Sequence, residues 1–239
     1  MTLENTEIDK GHIHPISRAI FEIRGIFADL GFEIALGPEI ESERYNFDAL
    51  NVPPDHPARD MQDTFWLKPK NAGNLLRTHT SPVQVRYMEA QLKAGIQPPY
   101  RIIAPGKVFR NEATDATHEA EFFQVEGLYV DKNVSLAQLK GTLLFFFKKF
   151  LGNKIDIRFR PSFFPFVEPA LEVDVKMGNR WLEMGGAGMV HPNVFSAVGL
   201  KGYTGFAFGP GLDRLVMVKY GVPDVRLFYS GDLRFVGQF

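Results

Sequence analysis

The sequence contains no cysteine, carries almost no net charge and has no long apolar run. The absence of cysteine excludes disulfides, thiolate catalysis and cysteine-ligated zinc. A formal net charge of −1 argues against a domain that grips nucleic acid through an overall positive surface. The apolar run 143–147 ends at Lys148, far short of the ~20 residues that cross a bilayer, and Met1–Lys10 is too polar for a targeting peptide. We therefore expect a cytoplasmic globular protein with no membrane partner.

The chain is long enough for one large domain or two small ones. Its 239 residues are 45% apolar, with no linker-like shift in composition and no internal repeat. We therefore expect a single domain over residues 1–239, with 1–10 as a flexible N-terminal tail. The aromatic content is unusual, because 22 phenylalanines stand against 7 tyrosines and 2 tryptophans.

Apolar periodicity predicts an α+β fold. Steps of three and four residues predict helices over 15–31, 82–93, 135–151 and 212–220. Strand-like patterns occupy 65–67, 75–78, 101–104, 107–111, 121–130, 155–160, 171–175 and 206–208. The proline-rich segment 51–64 predicts a loop, and the glycines of 185–188 predict a tight backbone. Because the strands come in runs, we expect a mainly antiparallel sheet flanked by helices.

The densest polar cluster lies in a predicted hairpin over 108–127. Residues two apart on a strand share a face, so Arg110 points the same way as Glu112, and Phe122 the same way as Gln124 and Glu126. Such a face offers a guanidinium fork for phosphate, a ring on which a base stacks, and polar groups for an ammonium. The ordinary explanation of an Arg-x-Glu pattern is a pair of charges on a solvent-exposed face. A phenylalanine on the same face argues against that explanation.

Two further segments are candidates for ligand binding. In the glycine-rich segment 205–214, Gly209 and Gly211 permit close backbone approach, and Arg214 at a helix N-terminus suits an anion that joins it there. A plain strand-to-helix turn also explains the glycines. The run Phe163-Phe164-Pro165-Phe166-Val167 is either core or the wall of an apolar pocket.

Candidate nucleophiles and metal ligands are weaker. His79 and Ser81 share a face ahead of the helix that contains Gln84, but no glycine elbow surrounds the serine, and a helix N-cap is its simpler explanation. The pair His12 and His14 has no acidic companion nearby. Structural or anion-binding histidines are therefore favoured over a metal site.

Together these segments resemble class II aminoacyl-tRNA synthetases. Three of them are similar to the signature motifs of that family: the first helix with Gly37-Pro38-Glu39 to motif 1, Phe109-Arg110-Asn111-Glu112 with His118 and Phe122 to motif 2, and Gly209-x-Gly211-x-x-Arg214 to motif 3. Four more segments narrow the resemblance to the catalytic alpha subunits of bacterial phenylalanyl-tRNA synthetases: 77–82, 164–169, 185–192 and 205–209. The resemblance covers nearly the whole chain, from Gly11 to Phe239.

The resemblance implies a ligase that activates L-phenylalanine with ATP and transfers it to the 3′ end of tRNA(Phe). It implies Arg110 on the α-phosphate, Arg214 with His118 on the γ-phosphate, and adenine stacked on Phe122. Mg²⁺ is implied to bridge the phosphates, with Glu183 as a candidate ligand. The implied ATP-binding set is Arg110, Glu112, His118, Phe122, Glu183, Gly209, Gly211 and Arg214, of which Arg110, Glu112, His118 and Arg214 are implied to be catalytic.

For phenylalanine, the resemblance implies a polar site for the ammonium and an apolar site for the ring. The ring is expected between Phe164 and Phe166, with Val167 and Ala207 closing the far end. The polar residues implied are His79, Ser81, Gln124 and Glu126, and the set is completed by Trp66, Gln84 and Gly209.

The chain departs from the family pattern at a few positions. Asp213 stands where glutamate is usual, Pro210 stands where an aliphatic residue is usual, and so short a stretch precedes His12 that we expect no N-terminal coiled-coil arm. The implied assembly is a homodimer through the motif 1 region or a heterotetramer with a beta subunit.

Two alternatives stay open on the sequence alone. One is a class II synthetase for another amino acid, as in the phosphoseryl and pyrrolysyl enzymes, although the apolar run 163–167 argues against phosphoserine. The other is a non-catalytic or minimal synthetase-like module, against which the presence of both Arg110 and Arg214 argues.

Overall fold

The computed structural model describes residues 11–55, 64–69 and 72–239. The predicted tail 1–10 and part of the predicted loop 51–64 lie outside the described residues. The strands are β1 (Glu33–Ile34), β2 (Ile40–Ser42), β3 (Asn74–Leu76), β4 (Tyr100–Phe109), β5 (Glu121–Asp131), β6 (Ile157–Phe164), β7 (Val167–Met177), β8 (Arg180–Val190) and β9 (Thr204–Pro210). The helices are α1 (Pro15–Ala28), α2 (Glu43–Asn46), α3 (Pro82–Lys93), α4 (Leu136–Leu151), α5 (Pro192–Ala197), α6 (Leu212–Tyr220) and α7 (Leu233–Val236), with 3-10 turns at Asp48–Leu50 and Val225–Phe228.

A seven-stranded sheet in the order β1-β4-β5-β9-β8-β7-β6 organises the fold. The short β1 pairs in parallel with β4, and every other neighbouring pair is antiparallel. β2 and β3 form a separate two-stranded sheet. The prediction of an α+β fold with a mainly antiparallel sheet is confirmed.

The long helices begin where the sequence predicts. His14 caps α1 by accepting a hydrogen bond from the Ile16 amide through Nδ1, at 3.2 Å. Ser135 and Gln138 form a reciprocal capping box at the start of α4. α3 begins at Pro82, a position that suits proline because the missing amide would have no partner inside the helix.

Each face of the sheet packs against its own apolar core. Successive residues of β9 alternate between the two cores, with Phe206 and Phe208 on the side of α1 and α4, and Ala207 on the side of α3. On the first side the ring of Phe27 lies 5.0 Å from that of Phe146 and 5.4 Å from that of Phe208. A large part of the phenylalanine excess is therefore core.

The structure corrects one local prediction. The segments 101–104 and 107–111 are not two strands but the single strand β4, because pairing with β5 continues unbroken from Tyr100 to Phe109. The glycines of 185–188, for which the sequence predicts a tight backbone, lie within β8. They make room for neighbours, since a Cβ on Gly186 would lie 2.7 Å from the ring of Phe164.

Within the described ranges, none of the helices is both long and apolar enough to cross a membrane.

Close packing of β5 on β9 yields a stability prediction. A Cβ on Gly127 would lie 2.0 Å from the ring of Phe208, so Gly127→Ala overpacks the core and should lower the free energy of unfolding by about 1–3 kcal/mol. Gly141 lies in α4 with nothing within 4 Å of an added Cβ, so Gly141→Ala should raise that free energy by about 0.5–1 kcal/mol. Urea unfolding of both variants checks the pair, and equal effects would contradict the packing described.

Candidate active site

A single cavity of about 570 Å³ lies over β5, β8 and β9 and brings together most of the residues singled out in the sequence. Its lining includes His79, Ser81, Arg110, Glu112, His118, Phe122, Gln124, Glu126, Phe164, Phe166, Val167, Glu183, Ala207, Gly209, Gly211 and Arg214. Segments that are far apart in the chain therefore form one site.

The Glu126 carboxylate forms the floor of the cavity. It is only 4% exposed, and Gln84 Nε2 donates a hydrogen bond to its Oε1 at 2.5 Å. Burial raises the pKa of Glu126 to about 8, opposed by hydrogen bonds from Ser81 and Gln84. Gly209 must lack a side chain here, because a Cβ would lie 2.8 Å from Glu126 Oε2. The floor is thus a carboxyl group poised to ionise when a cation approaches.

Gln124 is held in a fixed orientation beside this carboxylate. Its Oε1 accepts from the Thr80 amide at 3.2 Å, and its Nε2 donates to the Gly209 carbonyl at 3.1 Å. These two bonds tie the segment before α3 to the end of β9 across β5. The orientation of the Gln124 amide is therefore fixed at both of its ends.

His79 contributes a neutral imidazole. Burial, together with the nearby Arg110 guanidinium, lowers the pKa of His79 to about 3. Its ring stacks on Phe166 with centroids 6.0 Å apart, and its buried Nδ1 has no hydrogen-bond partner among the described residues. An unpaired buried polar atom is costly, so this imidazole is held in place at the expense of stability.

Arg110 and Arg214 also line the cavity, and we call this part of the lining the arginine side. Arg110 Nε donates to the Thr78 carbonyl at 3.2 Å, and its guanidinium carbon lies 5.1 Å from the centre of the Phe122 ring. Burial lowers the pKa of Arg110, although an arginine keeps its charge in proteins. Arg214 lies in the first turn of α6 and donates to the Glu183 carbonyl at 3.2 Å. Two guanidinium groups and the start of a helix favour an anionic ligand here.

His118 lies at the edge of the cavity, in the loop 110–120 between β4 and β5. Its Nδ1 is 3.1 Å from both carboxylate oxygens of Asp115, and about half of its side chain is exposed. Hydrogen bonds from Thr117 and His118 hold the pKa of Asp115 well below its usual range. The loop is closed at its base by the Arg110 amide, which donates to the Ala120 carbonyl at 3.0 Å.

The apolar wall differs from its prediction in one respect. The rings of Phe164 and Phe166 stack on each other with centroids 6.0 Å apart and planes at 25°. A third ring between them would need roughly 7 Å or more, two stacking distances, so it does not fit. An aromatic ligand would instead pack beside this pair, where Val167 and Ala207 also line the cavity.

Two predicted residues are not part of the lining. Gln84 lies behind Glu126 and reaches the cavity only through that carboxylate. Trp66 pairs with Leu75 in an isolated bridge and packs on Phe47, with ring centroids 6.4 Å apart. Conversely, the lining contains residues outside the predicted site set: Val52 and Val225, which no sequence pattern selected, and Glu119 and Ala187, which lie in segments that the sequence analysis singled out.

No three-residue cluster of histidine, aspartate and glutamate able to hold a metal occurs in the part of the chain that the structure describes. Glu183 is an exposed single carboxylate on β8 beside Arg214. Mg²⁺ is commonly held by one or two carboxylates together with substrate phosphates. The residues present therefore fit a magnesium ion that arrives with a polyphosphate, and not one in a cage of protein ligands.

Comparison with known proteins gives one consistent result. The sequence matches the family described as tRNA synthetases class II core domain (F) over residues 1–239. The phenylalanine–tRNA ligase alpha subunit of Dehalococcoides mccartyi is 53% identical over 96% of this chain and 70% of its own length. Those of Anoxybacillus flavithermus and Deinococcus radiodurans are 51% and 49% identical over 100% of this chain, and 72% and 73% of their own lengths.

A solved structure supports the fold. The pyrrolysyl-tRNA synthetase of Desulfitobacterium hafniense superposes with a TM-score of 0.70 at 18% identity, over 91% of this chain and 74% of that one.

The raised pKa of Glu126 predicts how stability depends on pH. Between its ordinary pKa of 4.5 and about 8, the folded chain keeps a proton that the unfolded chain has released, so the free energy of unfolding falls as pH rises through this window. Glu126→Gln should remove that fall, on the order of 2–3 kcal/mol between pH 5 and 8. Urea unfolding across this range measures it, with the exposed Glu39→Gln as control. Parallel profiles for wild type and Glu126→Gln would contradict the assignment.

Proposed function

The chain belongs to the class II core-domain family of tRNA synthetases, and from that premise we propose how its cavity carries out the phenylalanine–tRNA ligase reaction. That reaction is its function, because relatives of that name are 49–53% identical to it over nearly all of its length. The phenylalanine carboxylate attacks the α-phosphorus of ATP, forming phenylalanyl-adenylate and releasing pyrophosphate. A ribose hydroxyl at the 3′ end of tRNA then takes the acyl group and releases AMP.

We assign the phenylalanine to the side of the cavity that joins Glu126 to the aromatic wall. As the ammonium approaches, the Glu126 carboxyl group releases its proton to solvent and the resulting carboxylate pairs with the ammonium. The remaining N–H groups of the ammonium face Gln124 and Ser81. The ring packs against the edges of Phe164 and Phe166, and Ala207 limits its depth. The single observation that carries this assignment is that a buried carboxyl group and an apolar wall line one cavity.

We assign ATP to the arginine side. Phe122 stacks on adenine, Arg110 binds the α-phosphate, and Arg214 binds the γ-phosphate with His118 at the cavity edge. Glu112 Oε1 lies 3.9 Å from Arg110 Nη1, and this ion pair helps to orient the guanidinium. Mg²⁺, with Glu183 as its protein ligand, would neutralise phosphate charge when bound.

Catalysis in this arrangement needs no protein nucleophile. Arg110 neutralises the charge that develops on the α-phosphoryl oxygens, while Glu126 and Phe166 hold the attacking carboxylate in line. The absence of cysteine is compatible with this chemistry.

The relatives are alpha subunits, so we propose that this chain acts with a second kind of subunit and binds tRNA(Phe) in that assembly. Exposed apolar side chains in the motif 1 region support an interface there: Leu36 is 79% exposed and Ile40 is 56% exposed. A heterotetramer with a beta subunit fits the name of the relatives better than a homodimer.

The role of Arg110 is directly testable. Arg110→Ala should lower phenylalanine-dependent ATP–pyrophosphate exchange at least ~100-fold, because it removes the charge opposite the reacting phosphate. Arg101→Ala is the matched control, since Arg101 lies on β4, stacks on Tyr129 and is not part of the cavity lining. Exchange that survives in folded Arg110→Ala would refute the phosphate assignment.

Ala207 should set the depth of the ring site. Ala207→Gly removes a methyl group from the cavity wall, so para-chlorophenylalanine should gain at least ~10-fold in kcat/KM relative to phenylalanine during adenylate formation. Ala170→Gly, also a buried strand alanine but not in the lining, should leave the ratio unchanged. An unchanged ratio in Ala207→Gly would contradict the proposed orientation of the ring.

A further inference from the structure

The segment that follows α6 folds back over the arginine side of the cavity. Gly221 ends the helix in a left-handed conformation with φ of 69°, which turns the chain toward Val225. The Val225 amide donates to the Ala116 carbonyl at 2.9 Å, and its side chain lines the cavity. The segment 222–229 therefore contacts the loop that carries His118.

At its end the same segment reaches the first turn of α6. The Tyr229 hydroxyl donates a hydrogen bond to Asp213 Oδ1, and the Phe123 amide donates to Asp213 Oδ2 at 2.6 Å. Asp213 is 3% exposed and lines the cavity. One buried carboxylate thus joins α6, β5 and the segment 222–229.

The register of the sheet explains why the Phe123 amide needs this partner. β9 pairs with β5 only as far as Gly127 opposite Phe208, with one isolated bridge beyond it between Gln124 and Gly211. β9 then becomes α6, so the amide of Phe123 loses the strand that would have faced it. The Asp213 carboxylate takes the place of that missing strand partner.

Phe123 and its hydrogen-bond partner Asp213 are each adjacent in sequence to a proposed ATP contact. Phe123 follows Phe122, which stacks on adenine in the proposed function, and Asp213 precedes Arg214, which binds the γ-phosphate there. Any increase in the separation of β5 and α6 would also increase the distance between Phe122 and Arg214. The distance between these two contacts therefore depends on the Asp213 carboxylate, which bonds to the Phe123 amide.

We propose that Asp213 and Tyr229 form a positioning pair that sets the span between Phe122 and Arg214 for ATP, an inference that rests on the proposed function of those two residues. The aspartate is shorter than the glutamate expected at this position, and the tyrosine hydroxyl supplies it with a second donor. We expect the pair to act on ATP and not on phenylalanine, because in the described part of the chain its side-chain hydrogen bonds run to Phe123 and within the pair, and none runs to Glu126.

The pKa shifts of Asp213 and Tyr229 predict that the effect of the pair on ATP depends on pH. Burial raises the pKa of Asp213 to about 6, opposed by the hydrogen bonds from Tyr229 and Phe123, and the Glu119 carboxylate raises it further. Burial and the Asp213 charge raise the pKa of Tyr229, so its hydroxyl stays a donor, with Glu119 and Glu121 also facing it. Arg214 is the charged neighbour on α6 itself. Removing the tyrosine hydroxyl takes away a bond that lowers the Asp213 pKa, so that pKa should rise.

Tyr229→Phe tests the pair with little risk to folding. In ATP–pyrophosphate exchange by the full chain, we expect KM for ATP to rise about tenfold, the size of one charge-assisted hydrogen bond, and KM for phenylalanine to change less than twofold. The acid limb of kcat/KM for ATP should move to higher pH. Asp213→Asn, which has no carboxylate to titrate, should lose that limb. Tyr220→Phe is the matched control, because Tyr220 ends α6 and packs on Phe239 away from the cavity.

The possible results distinguish failure of the positioning-pair proposal from failure of the proposed function. A selective rise in KM for ATP with a shifted acid limb supports the pair. Unchanged KM for ATP, or equal changes in both KM values together with a lower midpoint of thermal unfolding, overturns it. If the wild-type chain shows no exchange either alone or together with a beta subunit, the proposed function fails. In that case the affinity for Mg·ATP, measured by calorimetry, tests the positioning pair. Weaker affinity in Tyr229→Phe than in wild type supports the pair, and equal affinity overturns it.

Discussion

The burial of the Glu126 carboxylate is the constraint on which the rest of the cavity depends. A buried carboxyl group needs hydrogen-bond donors, because leaving it unpaired costs more than the bonds return. Gln84 supplies one from α3, and this fixes how α3 packs against β5. The absence of a side chain at Gly209 lets β9 pass close by. Three elements distant in the chain therefore converge on one group.

The lining of the cavity combines two kinds of chemistry. Glu126, a neutral imidazole and an apolar wall together suit a zwitterion with a large apolar side chain. Arg110 and Arg214 in the same lining suit a polyphosphate. Burial lowers the pKa of the His79 imidazole, and Arg110 lies close enough to lower it further. A reaction that joins an amino-acid carboxylate to a phosphate needs both kinds of lining within one cavity.

Local sequence patterns predicted the features that depend on interactions between residues close together in the chain. Pro82 marks the start of α3 and Ser135 the cap of α4, since both signals act within one helical turn. The face shared by Gln124 and Glu126 followed from strand alternation. The resemblance to class II synthetases added His79 and Ala207 to the site, and Trp66, which the structure places outside the lining.

Features that depend on distant partners were not predictable in this way. β4 runs through Pro105 and Gly106 because β5 pairs along its whole length, which no local pattern shows. The stacking of Phe164 on Phe166 depends on how the turn between β6 and β7 folds. Val225 and Tyr229 carry no motif, and only the fold brings them to the cavity and to Asp213.

The most direct test of the assigned site is a crystal structure of this chain with a non-hydrolysable analogue of phenylalanyl-adenylate. We expect the ammonium within hydrogen-bond distance of the Glu126 carboxylate, the phenyl ring against the edges of Phe164 and Phe166, and adenine on Phe122. An ammonium bound away from Glu126, or a phenyl ring stacked on Phe122, would contradict it.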